Sequence, residues 1–356
     1  MTSQNKTDSI WADNAPASIG IDIGGTKINV ALVSKETRKY WQESNEEEIP
    51  SSFLLNSPTP SQSGLFLDTL TNMIEKLAKG RDIAAIGIAT AGVVDSAQGR
   101  ILGATGNMPA LRDLSNLQES LARQLASRGI TIPIHIENDA NAAAYGEWSC
   151  GAGEGSRNMF AVTLGTGVGM GIVFDGQLYR GSHFFAGEGG HIAIDYHRKR
   201  QCTCGRWDCW EAFASGRGLQ TTAERLVTAA PESSRREFLA KYCTDDIVTT
   251  YAVIAASRAN NHLGLQIVDE WHHHISVGLG SLINVMDPDM IVVGGGLAKF
   301  VDFALLTERT RERSISNSFQ LLPATLGNYA GIIGAACLAL EHLKSNAKTL
   351  ALNESR

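Results

Sequence analysis

The sequence predicts an α/β fold built from two related lobes. Three observations carry that prediction. An apolar strand pattern, a turn containing Gly and Thr, and a second apolar run occur near residue 22 and recur near residue 164. Short apolar runs ending in glycine are interspersed with segments of helical periodicity. The chain has 356 residues, more than one hydrophobic core usually spans.

Residues 1–17 are polar and read as a disordered tail. A strand over 18–23 stops at Gly24-Gly25-Thr26-Lys27, and a second apolar run over 28–33 follows at once. That unit is a hairpin, not the strand-to-helix passage of a P-loop or dinucleotide site. Residues 43–63 are rich in Glu, Ser and Pro and read as a loop. Leu67, Leu70, Ile74 and Leu77 space a helix over 65–79. A buried strand over 83–90 ends at Ala91-Gly92. An amphipathic helix over 114–128 precedes a strand over 132–137, which runs into Asn138-Asp139-Ala140-Asn141 and an alanine-rich helix. The second copy comprises a strand over 160–164, the turn Gly165-Thr166-Gly167-Val168-Gly169 and a strand over 171–174. Helices fill 216–286, with a polar break at 242–246. A buried strand over 291–293 ends in Gly294-Gly295-Gly296, and a small-residue helix over 331–343 closes the fold. These elements divide into a smaller lobe of 18–138 with 331–346 and a larger lobe of 139–330.

Composition narrows the function. A net charge of −6 and a pI near 5.9 argue against a general nucleic-acid binder, which needs a basic face. The apolar runs are too short to cross a membrane. The first residues lack the apolar core and cleavage pattern of a secretory signal. The expected location is therefore the cytoplasm, where thiols stay reduced.

The most specific pattern is His191 with Cys202, Cys204 and Cys209. Three thiols and an imidazole complete a tetrahedral donor set that suits zinc, and four protein ligands make the site structural rather than catalytic. A disulfide with a spare thiol is the alternative, but six cysteines in the chain are too few for a disulfide scaffold. Cys150, Cys243 and Cys337 are expected to be small buried apolar side chains. Two carboxylates, Glu188 and Glu211, flank the zinc stretch.

Glycine turns with threonine suit phosphate, because backbone without a Cβ approaches an anion closely and its N–H groups point at the oxygens. Gly24, Gly25, Thr26 and Lys27 form one candidate, Thr166 and Gly167 a second, and Gly295 with Gly296 a third. Taken alone, each reads equally as hairpin or strand punctuation. Three together point to a nucleotide. Asp139 is the candidate base, at a strand end where α/β proteins place ligands, although an N-cap reading also fits that cluster. Asp22, beside the first turn, is the candidate magnesium ligand, directly or through water. Phosphoryl transfer to a hydroxyl needs these parts: positioning, a magnesium ion and a carboxylate that takes the alcohol proton.

These motifs, in this order from about residue 19 to about residue 343, resemble the ROK family of sugar kinases and sugar-responsive repressors. The zinc stretch is the most specific part of the resemblance, and the run Cys209-Trp210-Glu211-Ala212-Phe213-Ala214-Ser215-Gly216 looks most like the family's glucokinase branch. The resemblance implies an actin-like, hexokinase-like ATPase fold with an internal duplication. It implies ATP-dependent phosphorylation of a hexose, glucose first, with N-acetylglucosamine and N-acetylmannosamine as rivals. Asp139 would be the catalytic base. Asn107, Asn138, Glu188, His191 and Glu211 would hold the sugar, with His191 also on zinc. The two Gly-Thr turns would hold phosphates, and Gly295 and Gly296 would lie near the nucleotide. A homodimer or homotetramer is implied, with hexose and ATP as partners and neither nucleic acid nor membrane. Repressors of the family carry a DNA-binding domain before the first glycine turn, for which the residues ahead of Asp22 are too few. Three positions depart from the family pattern: Asp208 stands where glycine is usual, Val93 where proline is usual, and Leu111 near a usual tryptophan.

Overall fold

The computed structural model describes residues 15–37, 40–41, 49–103 and 108–354, with side chains up to residue 347. Most of the expected tail, and Asn107, lie outside these residues.

The first part of the chain forms β1 (Ala17–Ile23), β2 (Lys27–Val33), β3 (Leu54–Pro58), α1 (Ser63–Ala78), β4 (Ile83–Thr90), β5 (Val93–Asp95), β6 (Arg100–Gly103), α2 (Pro109–Arg112), α3 (Leu117–Ser127), β7 (Ile134–Asn138) and α4 (Asp139–Cys150). Then come β8 (Met159–Leu164), β9 (Val168–Phe174), β10 (Gln177–Leu178), α5 (Glu211–Ala214), α6 (Gly216–Ala229), α7 (Glu232–Tyr242), α8 (Thr250–Arg258) and α9 (His262–Met286). The chain ends with β11 (Met290–Gly294), α10 (Phe303–Arg311), β12 (Gln320–Pro323) and α11 (Ala330–Glu354). None of the described helices is long and apolar enough to cross a membrane.

One sheet has the order β3-β2-β1-β4-β7 and the other β10-β9-β8-β11-β12. Numbering each sheet's strands along the chain gives 3-2-1-4-5 both times. The agreement extends to direction: β2–β3 and β9–β10 are antiparallel, whereas β1–β4, β4–β7, β8–β11 and β11–β12 are parallel.

The chain separates into two compact units, one of residues 1–157, 171–186 and 325–356, the other of 158–170 and 187–324. The expected boundary at 138/139 therefore moves: α4 and residues 171–186 join the first unit. The reason is packing. One face of the first sheet carries Ile19, Ile21, Ile23, Ile28, Val30, Ile86 and Ile88, which pack in one core with Phe66, Leu70 and Ile74 of α1 and Leu121 of α3. On the other face, Ala31, Ala85 and Ala89 share a core with α4 and α11. Where the helix lies, around Gly20, Ala85, Gly87 and Ala89, that second face carries only small residues. A Cβ on Gly87 would lie 1.8 Å from the Ala335 carbonyl oxygen of α11, and one on Gly334 would lie 1.7 Å from the Ala142 carbonyl oxygen of α4. The α11 backbone rests directly on the sheet and α4 rests on α11, which puts α4 in the first unit.

Two further expectations change. Residues 43–63 are not all loop, because β3 pairs with β2 there. As an edge strand with one alternating face, and with Pro58 at its end, it lacks the continuous apolar run of an inner strand. The amphipathic segment expected from 114 starts its helix at Leu117, and the short ribbon β5–β6 follows Gly92. Of the remaining cysteines, Cys150 and Cys337 are buried as expected, but Cys243 is only partly so.

Candidate active site

In the first unit the site residues gather at strand ends. The β1–β2 turn is closed by the Gly24 N–H donating to the Lys27 carbonyl at 3.0 Å. Thr59 takes two more of its carbonyls: its hydroxyl donates to Gly24 O at 2.7 Å and its N–H to Thr26 O at 3.1 Å. Carbonyl oxygens that would repel an anion are thus turned into hydrogen bonds, which suits the turn to phosphate.

Asp22 shares a strand face with Gly20, the face that receives α11, and a Cβ on Gly331 would lie 3.9 Å from its carboxyl. Burial, and after it the negative charge of Asp139, pushes the Asp22 carboxyl up to about 6, with a hydrogen bond from Asn29 acting against the rise. Asp139 opens α4 immediately after β7. Burial raises its pKa as well, opposed by hydrogen bonds that include those from the Ala140 N–H and the Asn138 amide. Both of those side-chain contacts fall on Oδ1, at 2.9 Å and 3.1 Å. The Oδ2 oxygen accepts no hydrogen bond among the described residues.

Asn138 answers the N-cap alternative. Its Oδ1 caps α4 by accepting from the Asn141 N–H at 3.0 Å, and its Nδ2 donates to the Gly92 carbonyl at 3.0 Å. The N-cap position belongs to Asn138, and Asp139 follows it as the first residue of α4, with its Oδ1 on the Ala140 N–H. Sequence reading missed what holds this junction. Glu137, almost wholly buried, accepts at Oε1 from the Asn138 N–H and the Asn141 amide, and at Oε2 from Arg180 at 2.7 Å. A carboxylate inside an apolar strand was the available signal; its partner lies 43 positions away.

In the second unit, His191, Cys202, Cys204 and Cys209 bring one donor atom each to within 4.8 Å of one another. The His191 Nδ1 lies 3.7 Å from Cys202 Sγ, and Cys204 Sγ lies 3.7 Å from Cys209 Sγ. Burial, joined by the neighbouring thiols, pushes Cys209 up to about 12. The other ring nitrogen, Nε2, faces the Glu188 carboxylate at 3.7 Å. Trp210 anchors this loop: it is fully buried, and its indole N–H donates to the His274 carbonyl of α9 at 3.0 Å.

Asp208, where glycine would be usual, adopts φ 60°. Three hydrogen bonds offset the strain: its Oδ1 accepts from the Arg200 N–H, its own N–H donates to Arg200 O, and its carbonyl accepts from the Ile194 N–H. The local turn is therefore built, and the ligands around it keep their places. Glu211 joins this loop to the second glycine turn. Its Oε2 accepts from the Val168 N–H at 3.1 Å and its Oε1 from the Thr203 hydroxyl at 2.8 Å. A Cβ on Gly167 would lie 2.5 Å from that carboxylate, so a larger residue there would displace the Glu211 side chain. The third turn abuts the second: Gly295, at φ 87°, would place a Cβ 2.4 Å from the Leu164 carbonyl.

The ROK family matches residues 18–342. This chain belongs to the ROK family. Among its relatives, a glucokinase of Streptomyces coelicolor is 32% identical, covering 91% of this chain and 98% of the relative. A xylose repressor of Bacillus spizizenii is 27% identical, covering 94% of this ROK protein and 79% of the repressor. A solved ROK glucokinase from Streptomyces griseus, in complex with glucose and AMPPNP, superposes with a TM-score of 0.67 at 30% identity, covering 91% of this chain and 99% of that one. The α/β hexokinase-like fold implied by the sequence is thereby established.

The elevated pKa of Asp22 has a consequence for stability. The folded state binds this proton more tightly than the unfolded chain, so its contribution is present below the ordinary value of 3.8 and is lost as pH rises through about 6. Asp22→Asn is therefore expected to gain stability relative to the unsubstituted protein between pH 4 and pH 7. Urea unfolding of both proteins without magnesium at the two pH values measures this; a difference independent of pH contradicts it.

Proposed function

We propose that this ROK protein is an ATP-dependent sugar kinase that phosphorylates a hexose hydroxyl, glucose to glucose 6-phosphate being the leading reaction. The observation that carries this reading is Asp139: a carboxylate at a strand end, raised in pKa by burial, with Oδ1 held and Oδ2 left to receive a proton. A protein that only senses sugar has no use for such a base, which favours kinase over repressor. Kinship with glucokinases supports the same choice.

In the proposed reaction the sugar hydroxyl oxygen forms a bond to the γ-phosphorus of ATP. Its proton passes to Asp139 Oδ2, and the bond to the β-phosphate oxygen breaks with its electrons leaving on ADP. Asn138 keeps Asp139 in register through its amide and its cap. Glu188, His191 and Glu211 orient the sugar, and Asn107 is assigned to the same task by resemblance. Gly24, Gly25, Thr26 and Lys27, with Thr166, Gly167, Gly295 and Gly296, hold the nucleotide. Asp22 fits magnesium: a half-buried carboxylate whose charge is disfavoured regains ionisation beside a cation. Bound there, magnesium would neutralise charge on the phosphates.

The donor geometry also fits zinc. A tetrahedron with bonds of about 2.3 Å has edges of about 3.8 Å, close to the 3.7 Å separations of His191–Cys202 and Cys204–Cys209. The ion would be structural. With Nδ1 on the metal, Nε2 of His191 stays on the Glu188 side, which couples the metal loop to the sugar. The shared 3-2-1-4-5 strand order supports an internal duplication.

ADP release measured over a panel of hexoses and N-acetylhexosamines tests the reading. Glucose should give the highest kcat/KM. Preference for an N-acetylhexosamine would reassign the sugar, and no sugar-stimulated ADP release would overturn the kinase assignment. Elemental analysis should find about one zinc per chain, and Cys204→Ser should lose it along with thermal stability and sugar affinity. Unsubstituted protein without zinc contradicts the metal assignment.

A further inference from the structure

A cavity of about 270 Å³ opens beside the second glycine turn, wholly within the second unit. Thr166, Lys199, Arg200, Glu211, Arg217 and Thr221 are among the residues that line it. Three cations face one carboxylate, whose oxygens already accept hydrogen bonds, Oε2 from Val168 and Oε1 from Thr203. The cavity therefore has a surplus of positive charge in a protein whose net charge is −6.

The three cations are not equivalent. Lys199 is paired with Asp195 at 2.7 Å. Arg200 is consumed by structure: it donates to Ala212 O, Gly218 O and the Thr222 hydroxyl, and its guanidinium lies 4.4 Å over the Phe213 ring. Arg217 has no partner among the described residues and is exposed to solvent. It sits in the first turn of α6, four positions before Thr221, so the two side chains share one helix face. A planar guanidinium fork with hydroxyls beside it, at the rim of a cavity, matches a phosphate group better than a carboxamide or a sugar ring.

We propose that Arg217, with Thr221 and Thr166 around it, is a phosphate-binding residue that holds the polyphosphate tail of the nucleotide. The assignment rests on the kinase reading, because Thr166 belongs to a turn placed on that same tail and lines this same cavity. Neither the glycine turns nor the zinc ligands require an arginine here. Its role is thus separate from theirs: it supplies charge to the phosphates, while the turns supply N–H groups.

The test is a binding series on the intact protein, with adenosine, AMP, ADP and ATP titrated calorimetrically against the unsubstituted chain, Arg217→Ala and Arg217→Lys. One lost charge-assisted contact predicts about a tenfold or greater weakening for ATP in Arg217→Ala. The loss should be smaller for ADP and absent for adenosine. Arg217→Lys should recover part of the affinity, since charge returns without the fork. In steady-state assays the KM for ATP should rise while the KM for the sugar and the zinc content stay put. Unchanged ATP affinity in Arg217→Ala, or an equal loss for adenosine and ATP, overturns the proposal. Unsubstituted protein that binds ATP normally but phosphorylates no sugar would instead sink the kinase reading and leave this series to judge Arg217 on its own.

Discussion

The structure depends on a strip of the first sheet, around Gly20 and Gly87, where small residues let a helix backbone come close. Gly87 on β4 and Gly334 on α11 let backbone meet backbone where any Cβ would collide. These contacts seat α11 on the sheet and α4 on α11, and both helices carry consequences for the site. Asp139 begins α4, and the start of α11 comes up against Asp22. Desolvation raises both carboxylates because two helices cover the strand ends from which they project. Adding a methyl group at such a contact forces the elements apart, an overpacking effect that commonly costs about 1–3 kcal/mol. Here it would also disturb the spacing of the two acids.

A second dependence runs through carboxylates that are not themselves reactive. Glu137 ties the end of β7, the first turn of α4 and Arg180 into one network, which makes the base's position a property of the sheet. Glu211 does the equivalent work in the second unit by joining a phosphate turn to the metal loop. Each Gly-Thr turn is therefore braced by a hydrogen-bonding side chain from elsewhere in its own unit, Thr59 in one case and Glu211 in the other.

The legible parts of the sequence were those where chemistry dictates residue type at fixed spacing. His191, Cys202, Cys204 and Cys209 could be read because a tetrahedral metal site needs four donors, and the Gly-Thr turns because bare backbone is what an anion approaches. The strand after each turn could be read as a second, largely apolar run. What escaped was whatever depends on a distant partner. The grouping of α4 with α11 is decided by residues nearly two hundred positions apart, such as Ala142 and Gly334. Glu137 gives no sign in sequence of Arg180, nor the first turn of Thr59. β3 was lost because an edge strand need not be apolar throughout. Arg217 stands in no pattern of the sequence, and only the cavity it lines sets it apart.

The central claim is that Asp139 takes the proton of the sugar hydroxyl. Asp139→Asn keeps the size and the Oδ1 contacts of the side chain and removes the basicity. Single-turnover phosphoryl transfer, measured alongside sugar affinity for the same preparation, tests it most directly. The account predicts a loss in rate of about 10²–10⁴-fold, the usual worth of a general base, with sugar affinity nearly unchanged. A variant that transfers phosphate at close to the unsubstituted rate would contradict it.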